Sequence, residues 1–319
     1  MPSAGLEPSV TRLKDDLARL TGRESAATRF GVAVSGGPDS MALLWLASRA
    51  FPGRTHAATV DHGLRAESAV EAEMVADWCA AEGVPHATLT PLEPITGSIQ
   101  SAARAARYRL LDTWRREQGI DWLLTAHHAD DQLETILMRL NRASGVGGLA
   151  GIRERNGAVF RPLLGWRRAE LMEIVARHAL PHVQDPSNEN MQFDRVAMRA
   201  HLAGVDWLDP VAASRSAAAC AEAEEALQWM VDRIAAEHME GSAGGPVTLS
   251  RTDVPREVLR RLALLMIARS DPDAIPPRGE TIDQAIVQTL RGKRASIGKW
   301  LLIGGEAWMV SLAPPRRTS

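Results

Sequence analysis

Residues 32–47 read VAVSGGPDSMALLWLA. An apolar run of strand character stops at Ser35, breaks on Gly36 and Gly37, and resumes after Pro38 with apolar residues at helical spacing. A strand that turns sharply into a helix leaves unbonded backbone N–H groups at the positive end of the helix, which is a ready anion site. The glycines allow close approach and dihedrals closed to other residues, and Pro38 suits the first helical position. The stretch is neither G-x-x-x-x-G-K-S/T nor G-x-G-x-x-G. It is a third kind of phosphate turn, with Asp39 standing where an anion would bind. Taken alone, an ordinary strand-turn-helix would also accept Pro38 and Asp39, because an acid there complements the helix dipole.

Outward from this turn, strand and helix patterns alternate. Phe30–Val34, Thr55–Val60, His86–Leu89 and Trp122–Thr125 read as buried strands. Ser40–Arg49, Ser68–Ala81, Ser98–Gln118 and Asp130–Arg142 carry apolar residues at helical spacing. That alternation predicts an α/β domain with a doubly wound parallel sheet. After Gly145 a glycine-rich loop and a short extended VFRPLL give way to helices over 166–178, 192–202 and 212–240, with VDWLDP at 205–210 as a hinge. From Gly241 the stretch GSAGGPVTL opens a small α+β or mainly helical region, with helices near 255–269 and 279–290. The expected domains are therefore 1–205, and 206–319 with its helical linker.

Composition sets bounds on function. In 319 residues, 37 Lys and Arg balance 39 Asp and Glu, so no global charge argues for nucleic acid. Lysine occurs only as Lys14, Lys293 and Lys299, which leaves arginine to carry the positive charge; arginine grips phosphate bidentately, although a GC-rich genome gives the same bias. Cys79 and Cys220 stand far apart, which excludes a disulfide framework or zinc ribbon and fits a reducing compartment. MPSAGLEPSV has no basic stretch followed by an apolar one, and runs such as LALLMIA at 262–268 are too short to span a bilayer. A cytoplasmic protein with no membrane association is expected.

SGGPDS matches S-G-G-x-D-S, and in its strand-to-helix setting it resembles the phosphate loop of the PP-loop ATP pyrophosphatases. Further segments match one branch in order: VDHGLR (60–65), AARAARY (102–108), TAHHADDQLET (125–135), GVGGLAGI, RPLL (161–164) and DPSNENMQFDRVAMR (185–199). Together they resemble the tRNA(Ile)-lysidine synthases over roughly residues 28–205. The resemblance implies a Rossmann-like catalytic domain followed by a tRNA-binding domain. It also implies a reaction: ATP adenylates the C2 carbonyl oxygen of the wobble cytidine in an isoleucine tRNA with a CAU anticodon, pyrophosphate leaves, and the ε-amine of L-lysine displaces AMP. ATP and Mg²⁺ are the implied cofactors; a monomer and a homodimer both remain open.

The resemblance also suggests roles. Ser35, Gly36, Gly37, Pro38, Asp39, Ser40 and Asp61 would bind ATP, and Asp39, which would repel bare phosphate, would hold Mg²⁺. Arg104 and Arg107 share one helical face and would meet tRNA, with Arg107 also the candidate for the α-phosphate or carbonyl region. Asp131 and Glu134 share the first turn of a helix and would hold lysine's ammonium, one of them also accepting its proton as the base. His127 would stand beside the reacting centre. Arg195 would meet lysine's carboxylate or the nucleotide, and Arg199 tRNA. Further arginines at 139, 142, 153, 155, 161, 167 and 168, and RGKR at 291–294, could contact RNA backbone.

Other readings compete. Acids in a first helical turn also just complement the dipole, and paired arginines are often only solvated. His127, His128, Asp130 and Asp131, with Asp61 and His62, could be a phosphohydrolase metal site. Another PP-loop enzyme, a tRNA cytidine thiolase or an amidating synthetase, would share the loop, and so would a non-catalytic RNA adaptor that binds nucleotide.

Overall fold

The computed structural model describes residues 6–22, 27–61, 67–91, 99–183 and 194–313. Its contacts divide the chain into two compact units, Met1–Ala221 and Glu222–Ser319. The division falls inside a long helix rather than at the hinge near 205. The first turns of that helix belong with the first unit, where the Ser214 hydroxyl donates to the Leu164 carbonyl at 2.6 Å and Ala217 is buried.

The first unit is built on one sheet. β1 (Phe30–Ala33), β2 (Thr55–Val60), β3 (His86–Leu89), β4 (Trp122–Leu124) and β6 (Val159–Phe160) run parallel, and β5 (Arg155–Asn156) closes an edge antiparallel, in the order β3-β2-β1-β4-β6-β5. Side chains alternate between the two faces as a pleated strand requires. Phe30, Val32, Ala57 and Leu124 join a core with α1 (Pro8–Thr21), α2 (Pro38–Ala50), α3 (Glu67–Glu82) and α7 (Arg168–Arg177). Ala58 and Leu123 instead meet Leu111 and Trp114 of α4 (Ile99–Glu117) on the other face. The sheet is therefore covered on both sides, the doubly wound arrangement expected. Gly31 has a steric reason: a Cβ there would lie 2.8 Å from the Trp114 ring.

α1 carries Val10, Leu13 and Leu17 into the core with Pro8 at its start. It precedes the strand-helix alternation that starts at Phe30 and is not part of that pattern. The remaining helices of this unit are α5 (Ala129–Leu140), the single turn α6 (Val146–Leu149), α8 (Asp194–Leu202) and the start of α9 (Pro210–His238).

The second unit is α+β. β7 (Met239–Glu240), β8 (Val247–Leu249), β9 (Ala295–Ile297), β10 (Trp300–Ile303) and β11 (Trp308–Leu312) form an antiparallel sheet ordered β7-β8-β11-β10-β9. One face packs Val247, Ile297, Leu302 and Val310 on Leu262 and Met266 of α10 (Arg256–Ser270) and Ile282 and Ile286 of α11 (Gly279–Leu290). No helix among the described residues is long and apolar enough to cross a membrane.

Candidate active site

The sheet order decides where a ligand fits. β1 pairs with β2 on one side and with β4 on the other, so the chain reverses its direction of winding at β1, and loops leaving the carboxyl ends of β1 and β4 diverge to frame a crevice. Those two loops are SGGPDS and TAHHADD. A cavity of about 680 Å³ opens there, lined by Ser35, Gly37, Pro38, Asp39 and Ser40 from the first loop and by Thr125, His127 and Asp131 from the second. Arg104, Arg107 and Tyr108 of α4 and Arg199 of α8 also line it. Segments separated by more than a hundred residues thus meet in one space.

The phosphate turn is held open for a ligand. Gly36 takes φ +80°, a left-handed conformation natural to glycine, and its carbonyl accepts from Val183 N at 3.0 Å. Gly37 caps α2 with no side-chain hydrogen bond, so the first amides of the helix are left to the cavity. Ser40 Oγ donates to the Gly37 carbonyl at 2.9 Å and accepts from Ser35 N at 3.2 Å, which fixes the loop from inside.

Asp39 faces a cluster of charge. Its Oδ2 lies 3.7 Å from His128 Nε2, and its Oδ1 3.9 Å from Arg168 Nε. Oδ1 is buried and accepts no hydrogen bond among the described residues. A sheltered anionic oxygen with no donor is what a hard divalent cation takes as a ligand, so this residue fits magnesium. No group of three or more His, Cys, Asp or Glu side chains among the described residues is arranged to hold a metal ion by itself. The phosphohydrolase reading, with ligands drawn from His127, His128, Asp130, Asp131 and Asp61, is not formed there; His62 lies outside the described residues.

His128 links the two loops. Its side chain is 2% exposed and lies 3.5–3.7 Å from Asp39, Asp130 and Asp131. Burial alone would lower its pKa, but hydrogen bonds to Asp130 and Asp39 and the charges of Asp131 and Asp39 outweigh it, and the pKa is pushed up to about 10. A neutral ring could accept the Asp131 amide at Nδ1, 3.4 Å away. Three carboxylates around a buried ring favour the imidazolium, whose Nδ1–H then points to Asp130. A raised pKa contributes stability that is complete below the unfolded value of 6.5 and is lost as pH rises toward 10. In magnesium-free buffer the denaturation midpoint of the wild type is therefore expected to fall between pH 7 and pH 10. His128→Gln should be less stable at pH 7 and show a flatter profile; parallel profiles for the two proteins would remove the charge from His128.

Asp130 is occupied structurally. It accepts the Arg168 amide at 2.7 Å and so ties the start of α7 to the start of α5. Burial raises its pKa, but the hydrogen bonds from His128 and from that amide prevail and hold it below the ordinary value. Asp131 remains toward the cavity, with Oδ1 3.7 Å from Arg199 Nη2. Glu134, 3% exposed, lies behind it and takes a two-point hydrogen bond from Arg199 at 2.8 and 3.3 Å. Burial opposes the charge of Arg199, yet Glu134, Asp131 and Asp39 raise its pKa above the usual value. Glu134 does not line the cavity and reaches it through Arg199.

The other expected site residues divide. His127 lines the cavity, with Nδ1 3.1 Å from Thr125 Oγ1. Arg104 and Arg107 are exposed and line it as well, Arg104 lying over the Tyr108 ring at 5.1 Å. Asp61, at the end of β2, accepts from Ser68 Oγ at 2.6 Å and is not among the lining residues. The Arg195 side chain lies outside the described residues, as do residues 62–65 of VDHGLR and the whole DPSNENMQF segment. Glu71, Met172, His182 and Val183 line the cavity without a signal in the sequence, and so does Arg168, which the sequence offers only as a contact to RNA backbone. Cys79 is fully buried, and burial pushes its thiol up to about 12, so it supplies no nucleophile or sulfur carrier.

Comparison with known proteins follows the same lines. A family model of the PP-loop domain matches residues 9–205. A tRNA(Ile)-lysidine synthase of Zymomonas mobilis subsp. mobilis is 40% identical over 299 residues, covering 91% of this chain and 90% of that protein. One of Novosphingobium aromaticivorans is 40% identical over 307 residues, with coverage of 91% and 90%. Among solved structures, a U34-tRNA thiolase from Methanococcus maripaludis superposes with a TM-score of 0.55 over 68% of this chain and 80% of that one, at 14% identity, a likeness of fold alone.

Proposed function

Since the chain belongs to the tRNA(Ile)-lysidine synthases and carries their PP-loop domain, we propose that the cavity between SGGPDS and TAHHADD is where ATP, L-lysine and the wobble cytidine of an isoleucine tRNA are joined. The enzyme ligates lysine to C2 of that cytidine at the expense of ATP. In this reading the amides at the start of α2, with Ser35 and Ser40, take the β- and γ-phosphates, and their donors are aimed in advance at the charge that grows on departing pyrophosphate. Asp39 would hold magnesium, which when bound neutralises phosphate charge. Arg107 faces the α-phosphate as the cytidine O2 attacks it, and His127 stands beside that centre.

The second half needs a cationic amine held near the activated base. Four carboxylates, Asp39, Asp130, Asp131 and Glu134, stand against three cations, His128, Arg168 and Arg199. The surplus negative charge belongs to this linked cluster alone, since Arg104 and Arg107 of α4 also line the cavity, and beside Asp131 it suits a cationic substrate. Asp131 is the carboxylate of this group that faces the cavity from the TAHHADD side, so it would receive lysine's ammonium, and Glu134 would hold Arg199 beside it. The amine loses a proton, its nitrogen bonds to C2, and the C2–O bond breaks to release AMP. Arg104 and Arg199 would guide tRNA, with the second unit, opened by α9, a further tRNA-binding domain in the cytoplasm.

The observation that carries this reading is the meeting of the phosphate turn and Asp131 across one cavity. Incubating an isoleucine tRNA transcript bearing a CAU anticodon with the protein, ATP, Mg²⁺ and lysine should yield AMP, pyrophosphate and an RNA heavier by one lysine less one water. AMP formation that does not depend on lysine and tRNA, or an RNA of unchanged mass, would sink it.

A further inference from the structure

Arg168 and its neighbour Arg167 follow RPLL together, but the structure uses them differently. Arg167 points away to Asp209, in an exposed ion pair at 2.8 Å. Arg168 turns into the cavity on the same face of α7 as Met172, one helical turn on. Its position is fixed at several points. Its own amide donates to Asp130; Trp166, just before it, is buried, accepts from Ala129 N at 2.8 Å and donates from its ring to Asp16 at 2.9 Å. Glu170 closes the first turn of the helix by accepting from Arg167 N and from Arg12.

The guanidinium so placed is incompletely bonded. Arg168 Nε is buried and donates no hydrogen bond among the described residues, and the same is true, as an acceptor, of Asp39 Oδ1. The two face each other at 3.9 Å, beyond hydrogen-bond reach. Buried polar atoms are ordinarily bonded, and opposite charges close enough to attract yet too far to bond suit a third group that engages both from the cavity they line. That group must offer anionic oxygen to Arg168 and a cation to Asp39. A magnesium-bound polyphosphate offers both.

We propose that Arg168 is a pyrophosphate-binding residue of this enzyme, gripping the β- and γ-phosphates of ATP opposite the SGGPDS amides and holding the leaving group as it forms. The proposal rests on the reading that the loop takes those two phosphates. It separates Arg168 from the arginines whose position suits only RNA backbone, because its side chain is partly open to the cavity opposite Asp39 and a planar guanidinium meets phosphate bidentately.

The test is equilibrium titration of the full chain with ATP, inorganic pyrophosphate and AMP, each with Mg²⁺, together with tRNA binding in the absence of nucleotide. Arg168→Gln and Arg168→Ala should weaken ATP and pyrophosphate by tenfold or more while AMP and tRNA binding stay within about twofold, and Arg168→Lys should recover part of the loss. Gln keeps most of the side-chain stem, which guards against a variant that fails to fold. Unchanged pyrophosphate affinity in Arg168→Gln, an equal loss for AMP, or a loss confined to tRNA would each overturn the assignment while leaving the cavity reading intact. A wild-type protein that binds neither ATP nor pyrophosphate would instead defeat the cavity reading itself, and Arg168 with it.

Discussion

Asp39→Ala is expected to lower AMP and pyrophosphate release by about 10³-fold or more, the upper range for loss of one electrostatic group pre-aimed at a transition state. The size of the effect follows from position. Asp39 lies in the first turn of α2, where it would complete a magnesium site over a turn otherwise built for anions. Removing it also strips His128 and Arg168 of a nearby countercharge, so phosphate would meet the turn without its metal and beside cations held differently. The fold should survive, because α2 is anchored by Met41, Leu43, Leu44 and Leu46, all fully buried. Circular dichroism and rapid-quench assay of AMP formation check both halves. Turnover within tenfold of wild type would move the metal ligand elsewhere.

Asp131→Asn is expected to raise the KM for lysine by about 30- to 10³-fold, corresponding to about 2–4 kcal/mol for loss of a charged partner in a sheltered pair. Asparagine is the informative choice. Its amide oxygen can still accept the His128 N–H that Asp131 takes at 3.2 Å, so the turn into α5 is kept while the charge is lost. Adenylation of tRNA should then persist: a single-turnover experiment without lysine would show pyrophosphate released and AMP retained on the RNA. If pyrophosphate release falls and the KM for lysine is unchanged, Asp131 belongs to the nucleotide half of the cavity.

Much of this site was legible in local sequence because it is made of turns. A strand that ends in Ser-Gly-Gly-Pro must release amides at the head of a helix, and the order of strands and helices brings the turn after β1 beside the turn after β4. What local sequence withheld depends on depth and direction. Glu134 and Asp131 share a helical face, yet one is sealed behind Arg199 and the other opens on the cavity, a difference of one turn in a helix whose lid, α8, arrives 60 residues later. The pair Arg167 and Arg168 is visible in sequence but not its division of labour: the two have the same chemistry, and only the ties of α7 to Asp130 and α1 decide which of them faces inward. α1 itself shows a spacing of three and four at Val10, Leu13 and Leu17, a signal that the strand-helix alternation begun at Phe30 did not cover. The strands β9 to β11 are three to five residues long, too short for periodicity to separate from loop.

His128 touches the acid of the nucleotide turn and the acid assigned to the amine with the same ring. A charge arriving at either acid changes what the ring offers the other, so the two substrate sites share one electrostatic account. Linkage then fixes a symmetry: whatever factor bound ATP applies to the affinity for lysine, lysine applies to the affinity for ATP. The order in which the two are loaded can be set by rates, but the doubly loaded state has a single free energy, and one buried imidazolium sits at the junction through which it is set.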